Sequence, residues 1–235
     1  PTSQEVQDYS LRVILDVVRR YDIDGVHIDD YFYPYPEKGA DGKLIPFPDD
    51  YTWTASQKTG GKLSRDDWRR DAVNRFIERM YHEVKAAKPS VKVGISPFGI
   101  WRPGNPPGIA GFDPYTQLYA DSRLWWQQGW CDYLAPQLYW PRAQEKQSFS
   151  RLLTWWGEQN TKERHLWPGM FTSRVTGKEK GWPADEIVEQ VKLIRAEAAA
   201  RGSTIGEPSG HIHFSMRALM DNTGGIADAL KELYR

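Results

Sequence analysis

The stretch Ile23-Asp24-Gly25-Val26-His27-Ile28-Asp29-Asp30-Tyr31 decides the fold. It is a short apolar run between a helical pattern and a polar segment, and it predicts a buried strand. Side chains alternate along a strand, so Val26 and Ile28 share one face while His27, Asp29 and Tyr31 share the other. Upstream, residues 3–21 carry Val6, Tyr9, Val13, Val17 and Val18 at helical spacing, with Thr2 or Ser3 as cap. Downstream runs a polar, Pro- and Gly-bearing segment of roughly thirty residues, ending near Leu63. That length usually marks a functional insertion.

The pattern then repeats. Ser64 with Asp67 opens a second helix striped by Trp68, Val73, Phe76, Met80 and Val84, and Lys88-Pro89 closes it. Val91–Ser96 is the next strand. A helix over 116–128 leads to a strand over 133–139, and one over 149–159 leads to a strand over 165–171. Pro183 opens a long helix that Gly202 closes. His211–Ser215 is a fifth strand, and 225–234 a last helix.

Five strands alternating with six helices imply a parallel α/β sheet with right-handed crossovers. No Gly-rich phosphate loop follows any strand, so a nucleotide-binding open sheet has no support. The expectation is a (β/α)8 barrel. Five strands cannot close one, and the chain opens on a helix. Residues 1–235 are therefore expected to form a single catalytic-type domain, the C-terminal part of a barrel whose first three βα units lie outside this numbering. A five-strand piece alone would expose sheet edges, so those units are expected as partners.

The 31 Lys+Arg residues balance 31 Asp+Glu, which argues against nucleic acid as a partner. No run of about 18 apolar residues exists to span a membrane. A lone Cys131 excludes an internal disulfide framework and a cysteine-rich zinc site. Aromatic residues make up 13% of the chain, with 11 Trp. Trp125, Trp126, Trp130, Trp155 and Trp156 fall in helices or at their ends and read as core. Trp53, Trp101, Trp140 and Trp182 fall after strands. Flat rings beside amide, hydroxyl and guanidinium donors suit a pyranose, with its apolar face and polar rim.

In a barrel the chemistry sits at the C-terminal strand ends. Parity sends His27 and Asp29 toward the axis, with Asp29 nearer the mouth, and Asp30 begins the loop where it can turn inward. Two confined carboxylates push each other's pKa values apart, separating an acid from a base or nucleophile. The structural alternative is that they cap a turn or bind an arginine. The other strand ends offer Trp101 and Arg102, then Gln137 and Tyr139, which share parity, and Trp140. His211 and His213 share one face of the last strand.

Residues Arg20–Pro34 resemble the signature of the glycosyl-hydrolase-like family 10 proteins, and Leu134-Ala135-Pro136-Gln137-Leu138-Tyr139-Trp140 is similar to that family's sixth strand. The resemblance covers essentially the whole chain. It implies a bacterial, extracytoplasmic (β/α)8 barrel, whether periplasmic, lipoprotein-anchored or secreted, that acts on glycans without a cofactor. Peptidoglycan strands are the substrate it points to. It also implies that the strands here are barrel strands four to eight. A more distant similarity is to family 18 chitinases. Asp24, Gly25 and Asp29 match their fourth-strand motif, while His27 and Tyr31 replace an Asp and the proton-donating Glu. Gln137 and Tyr139 resemble the groups that orient the N-acetyl sugar there.

The leading expectation is glycoside hydrolysis by Asp29 and Asp30. His27, Tyr31, Trp101, Arg102, Gln137, Tyr139 and Trp140 would bind or orient substrate. A rival is a non-catalytic carbohydrate-binding barrel, prompted by the missing Glu. A third is a metal-dependent hydrolase using His211 or His213 with Asp29.

Overall fold

The computed structural model describes residues 1–176, 180–200 and 210–235. Helix α1 (Gln4–Arg20) begins where the Ser3 hydroxyl accepts the Val6 amide. It buries Gln7, Leu11, Leu15 and Val18, and it packs on α3 (Arg65–Ala87). The buried Gln7 amide ties the two helices by donating to the Ala72 carbonyl at 3.0 Å. Of the apolar stripe that marks this helix in the sequence, Val18 is buried but the rest faces the other way. Val6, Tyr9, Val13 and Val17 are 39–63% exposed, because α1 has two apolar faces and α3 covers the one carrying the leucines.

Strand β1 (Gly25–Ile28) leads into the long segment, which is built rather than loose. A small hairpin closes where the Ile45 amide donates to the Glu37 carbonyl and the Gly39 amide to Lys43, each at 2.8 Å. Helix α2 (Asp50–Lys58) follows. Between them, buried Asp49 accepts from Arg69 Nε at 2.7 Å and Nη2 at 2.6 Å, and from Arg65, pinning the insertion to α3.

Beyond α3 come β2 (Lys92–Ile95) and, in place of one predicted helix over 116–128, two: α4 (Pro114–Gln117) and α5 (Ser122–Gln128). Tyr119, at φ 54°, breaks the run, and the Asp121 carboxylate caps a fresh start by accepting from the Leu124 amide. Then follow β3 (Tyr133–Leu134), α6 (Phe149–Glu158), β4 (His165–Leu166) and β5 (Gly169–Met170). The predicted strand over 165–171 is thus two short pieces, parted at Trp167-Pro168, where proline has no amide to give the ladder. Helix α7 (Ala184–Ala200) opens after Pro183, while Gly202, its predicted end, lies outside the described residues. Strand β6 (Ile212–His213), an unforeseen α8 (Met216–Met220) and α9 (Ile226–Leu233) complete the order.

All strand pairs are parallel. β1-β2-β3-β4 run in that order, and β5 pairs with β6. Bridges from Gln137 to Phe98 and to Gly169 join the two ladders into five successive strand positions. The outer edges of β1 and β6 have no strand partner among the described residues.

One face of the sheet carries Val93, Ile95 and Leu134, wholly buried with Ile77, Met80, Val84, Trp125, Trp126 and Trp156. Three of the five helical tryptophans therefore sit in the deepest core. The opposite face carries a register row of His27, Gly94, Tyr133 and His165. Gly94 is required there. The Tyr133 ring lies across it, and a Cβ would fall 1.8 Å from that ring.

Candidate active site

The parallel sheet brings every strand's C-terminal end to one rim. Asp29 follows β1 there and is exposed, whereas Asp30 is turned inward at 4% exposure. Gln137 is held by the ladder between Pro97, whose carbonyl accepts its amide at 3.0 Å, and Gly169. From there its side chain spans the neighbouring strand end. Nε2 donates to Asp29 Oδ1 at 2.8 Å and to the Ser96 carbonyl at 3.2 Å. The Asp30 amide donates to the same Oδ1 at 3.0 Å. One oxygen of Asp29 thus takes both fixed donors, and no donor among the described residues takes Oδ2. The carboxylate is aimed by protein on one side and open on the other.

Asp30 accepts a short hydrogen bond from the Tyr35 hydroxyl. Burial raises its pKa above the ordinary carboxylate value. The Tyr35 bond opposes the rise and the charge of Asp29 adds to it. No arginine or lysine pairs with either carboxylate among the described residues, so the salt-bridge alternative is not realised.

Tyr139 stands beside the pair. Burial first, then the charges of Asp29 and Asp30, push its phenol up. Its ring covers Gly169 and stacks on Phe214 at 5.5 Å, with Phe171 at 5.2 Å. His27 lies one step down the strand, on the face opposite Val26 and Ile28, which pack on the core. Its Nδ1 lies 2.9 Å from the Tyr133 hydroxyl, and the rings stack. Partial burial lowers its pKa and Asp29 pulls the other way.

The aromatic wall is present but differs from the expected one. Tyr31, 73% exposed, meets Tyr35 edge-on. Tyr35 meets Phe112, Phe112 meets Phe98, and Phe98 meets Trp140, all at 5.3–5.6 Å between ring centres. Trp140 thus closes a band that starts at the carboxylates. Trp101 does not belong to it. Its indole donates to Asp121 at 2.9 Å, and its ring stacks with Trp155 and has the Arg123 guanidinium over it at 5.0 Å. With its ring and its N–H engaged by residues of α5, α6 and the α5 cap, it is a packing residue between those helices. Arg102 lies over the Tyr115 ring at 4.4 Å and beside Asp113 at 3.7 Å, so its charge is engaged away from the pair. Trp53 packs on Trp68 and Trp182 on Phe171.

Sequence reasoning missed Tyr35 and Phe112. The alternation Tyr31-Phe32-Tyr33-Pro34-Tyr35-Pro36 was the available signal for Tyr35. His211 and His213 do share a face, 5.0 Å apart, but their nitrogens meet the Tyr234 and Thr172 hydroxyls at 2.9 and 2.7 Å. Among the described residues no three His, Cys, Asp or Glu side chains group as a metal site.

The sequence profile of the family described as Glycosyl hydrolase-like 10 matches residues 1–183. The chain belongs to that family. Within it, the chain is 38% identical over its whole length to Glycosyl hydrolase YngK of Bacillus subtilis, spanning 45% of that protein. It is 37% identical over 67% of its length to Glycosyl hydrolase DigH of Escherichia coli, spanning 35% of that protein. This glycosyl hydrolase-like chain thus covers less than half the length of the curated relatives it matches. Among solved structures, bee venom hyaluronidase with a hyaluronic acid tetramer aligns over 97% of this chain and 92% of its own, at 10% identity and a TM-score of 0.41.

Proposed function

We propose that this chain is the larger part of a (β/α)8-barrel glycosidase, strands four to eight, and that the enzyme cleaves the glycan strands of bacterial peptidoglycan outside the cytoplasm. The observation that carries the reading is Asp29. It is an exposed carboxylate at a strand's C-terminal end, oriented through one oxygen by Gln137 and free at the other, with an unneutralised second carboxyl beside it. Glycoside hydrolysis needs such a pair around an oxocarbenium-like centre. In this reading Asp29 is the base or nucleophile. Asp30, whose burial favours its protonated form, is its partner. His27 and Tyr139 orient the pair, Gln137 aims Asp29, and Tyr31 and Trp140 mark the ends of a sugar-stacking wall. The barrel assignment draws support from the edges of β1 and β6, unpaired among the described residues, the exposed stripe of α1, and relatives more than twice as long.

A second reading is a barrel that binds glycan without cutting it. It is favoured by Asp30 itself, which at 4% exposure and bonded to Tyr35 has little access to a substrate oxygen. Incubating the full-length protein with peptide-free glycan strands separates the two. New reducing ends are expected, insensitive to chelator. Saturable binding with none released over long incubation would establish the binding-only alternative.

A further inference from the structure

A cavity of about 480 Å³ lies between the 33–48 loop and residues 116–119. Its walls include Tyr35, Glu37, Ile45, Phe47, Thr116 and Gln117. That size falls within the range of preformed small-molecule sites. We propose that this groove is a further saccharide subsite, taking one neutral sugar unit of an extended glycan whose reacting bond lies at Asp29. The inference rests on the glycan reading above.

Three features support it. The first is continuity. Tyr35 is a wall of the groove, and its hydroxyl bonds Asp30, so a chain lying across the carboxylates and past Tyr35 enters the groove.

The second is rigidity. Prolines 34, 36, 46 and 48 line the groove and fix their own φ angles. The Glu37–Ile45 hairpin closes on itself, and Asp49, next after Pro48, is clamped by two arginines of α3. A site formed before the ligand arrives loses little affinity to ordering.

The third is chemistry. Tyr35 and Phe47 offer ring surface. The Gln117 side-chain amide makes no hydrogen bond among the described residues, which leaves a donor and an acceptor for hydroxyl groups. The one arginine on the wall, Arg69, is spent on Asp49 and on the Tyr119 hydroxyl. Glu37 is the wall's carboxylate. A site with a spent cation and a free carboxylate suits a neutral sugar, not an anionic one.

The test uses the full-length protein and peptide-free oligosaccharides graded by length. Ile45, 56% exposed, can be enlarged to fill the groove without disturbing the core (Ile45→Trp), and Gln117→Ala removes the free amide. For both variants kcat/KM on the shortest cleaved oligosaccharide is expected to stay within about twofold of wild type. On oligosaccharides one unit longer it should fall about tenfold, through KM, the scale of one lost sugar contact. An equal fall at every length, no fall at any, or a fall only with peptide-bearing strands would overturn the subsite. Should the wild type cleave nothing, affinity for the same series decides. A loss confined to the longer members supports the groove while removing the glycosidase reading, and a length-independent result overturns the groove as well. Gln117→Ala keeps the test available if Ile45→Trp does not fold.

Discussion

Asp30 and Asp49 lie in one insertion, 4% and 5% exposed, and the protein treats them in opposite ways. Asp49 receives two guanidinium groups. Burial alone would push its carboxyl up, but the hydrogen bonds from Arg69 and Arg65 outweigh burial and hold it below the usual range. Asp30 receives a phenol and, as its neighbour in sequence, a second carboxylate. Burial holds its pKa up. Where a carboxylate serves the architecture, the fold supplies its countercharge. At the rim of the sheet two carboxyls, one exposed and one buried, go without one among the described residues, the pattern that makes them candidates for a functional pair.

The largest effect that bears on this contrast is at Asp29. Replacement by Asn keeps the bonds from Gln137 and the Asp30 amide nearly isosteric while removing the charge. Glycan cleavage by the full-length protein is expected to fall at least about a thousandfold, or some 4 kcal/mol of transition-state stabilisation. Thermal midpoint should barely move. Unchanged turnover would end the assignment of Asp29 as the reacting carboxylate.

Next in size is Asp49→Ala, which removes the buried anion that Arg69 and Arg65 share and leaves them only the exposed carboxylates of Asp66 and Asp50. Stability is expected to drop by about 3 kcal/mol, the low end for breaking a buried pair because Arg65 is 31% exposed. Urea denaturation followed by tryptophan fluorescence would read it. A smaller loss, on the order of tenfold in kcat/KM, is expected for Gln137→Ala. The carboxylate survives there but loses its aim, so KM should move less than kcat.

Periodicity and chain order revealed most of the architecture. Parallel βα alternation, the Ser64 cap and the burial of Trp125, Trp126 and Trp156 could all be read from spacing. Helix α1 shows where spacing stops being informative. Two apolar stripes run along it, and only the packing of α3 decides which is inside. The break at Tyr119 was equally hidden, since a left-handed tyrosine has no sequence mark comparable to glycine. At the site, strand parity placed His27, Asp29, Gln137 and Tyr139 together because parity is a local property of the backbone. Trp101 and Arg102 went astray because being near a strand end in sequence does not fix which way a loop side chain turns. Tyr35 was missed for the same reason, as it reaches Asp30 only through the fold of the insertion.

The smallest effect is the sharpest test of the contrast, because it depends on sign. A carboxyl whose pKa is raised by folding binds its proton more tightly in the native state. Its contribution to stability is complete below the unfolded value of about 3.9 and is lost as pH rises through the folded value. Asp30 is such a group. Asp30→Asn should therefore match wild-type stability near pH 3 and become the more stable protein as pH approaches 7, since the amide never has to ionise in a buried place. Asp49 has a depressed pKa, and its stabilising effect is complete above the unfolded value and disappears in acid. Asp49→Asn should then be weakest relative to wild type at neutral pH, with the gap closing as pH falls. Denaturation midpoints for both variants between pH 3 and 7 should run in opposite directions against wild type. Parallel curves would mean that Asp30 has a countercharge in the folded protein after all, and that the two aspartates do the same kind of work.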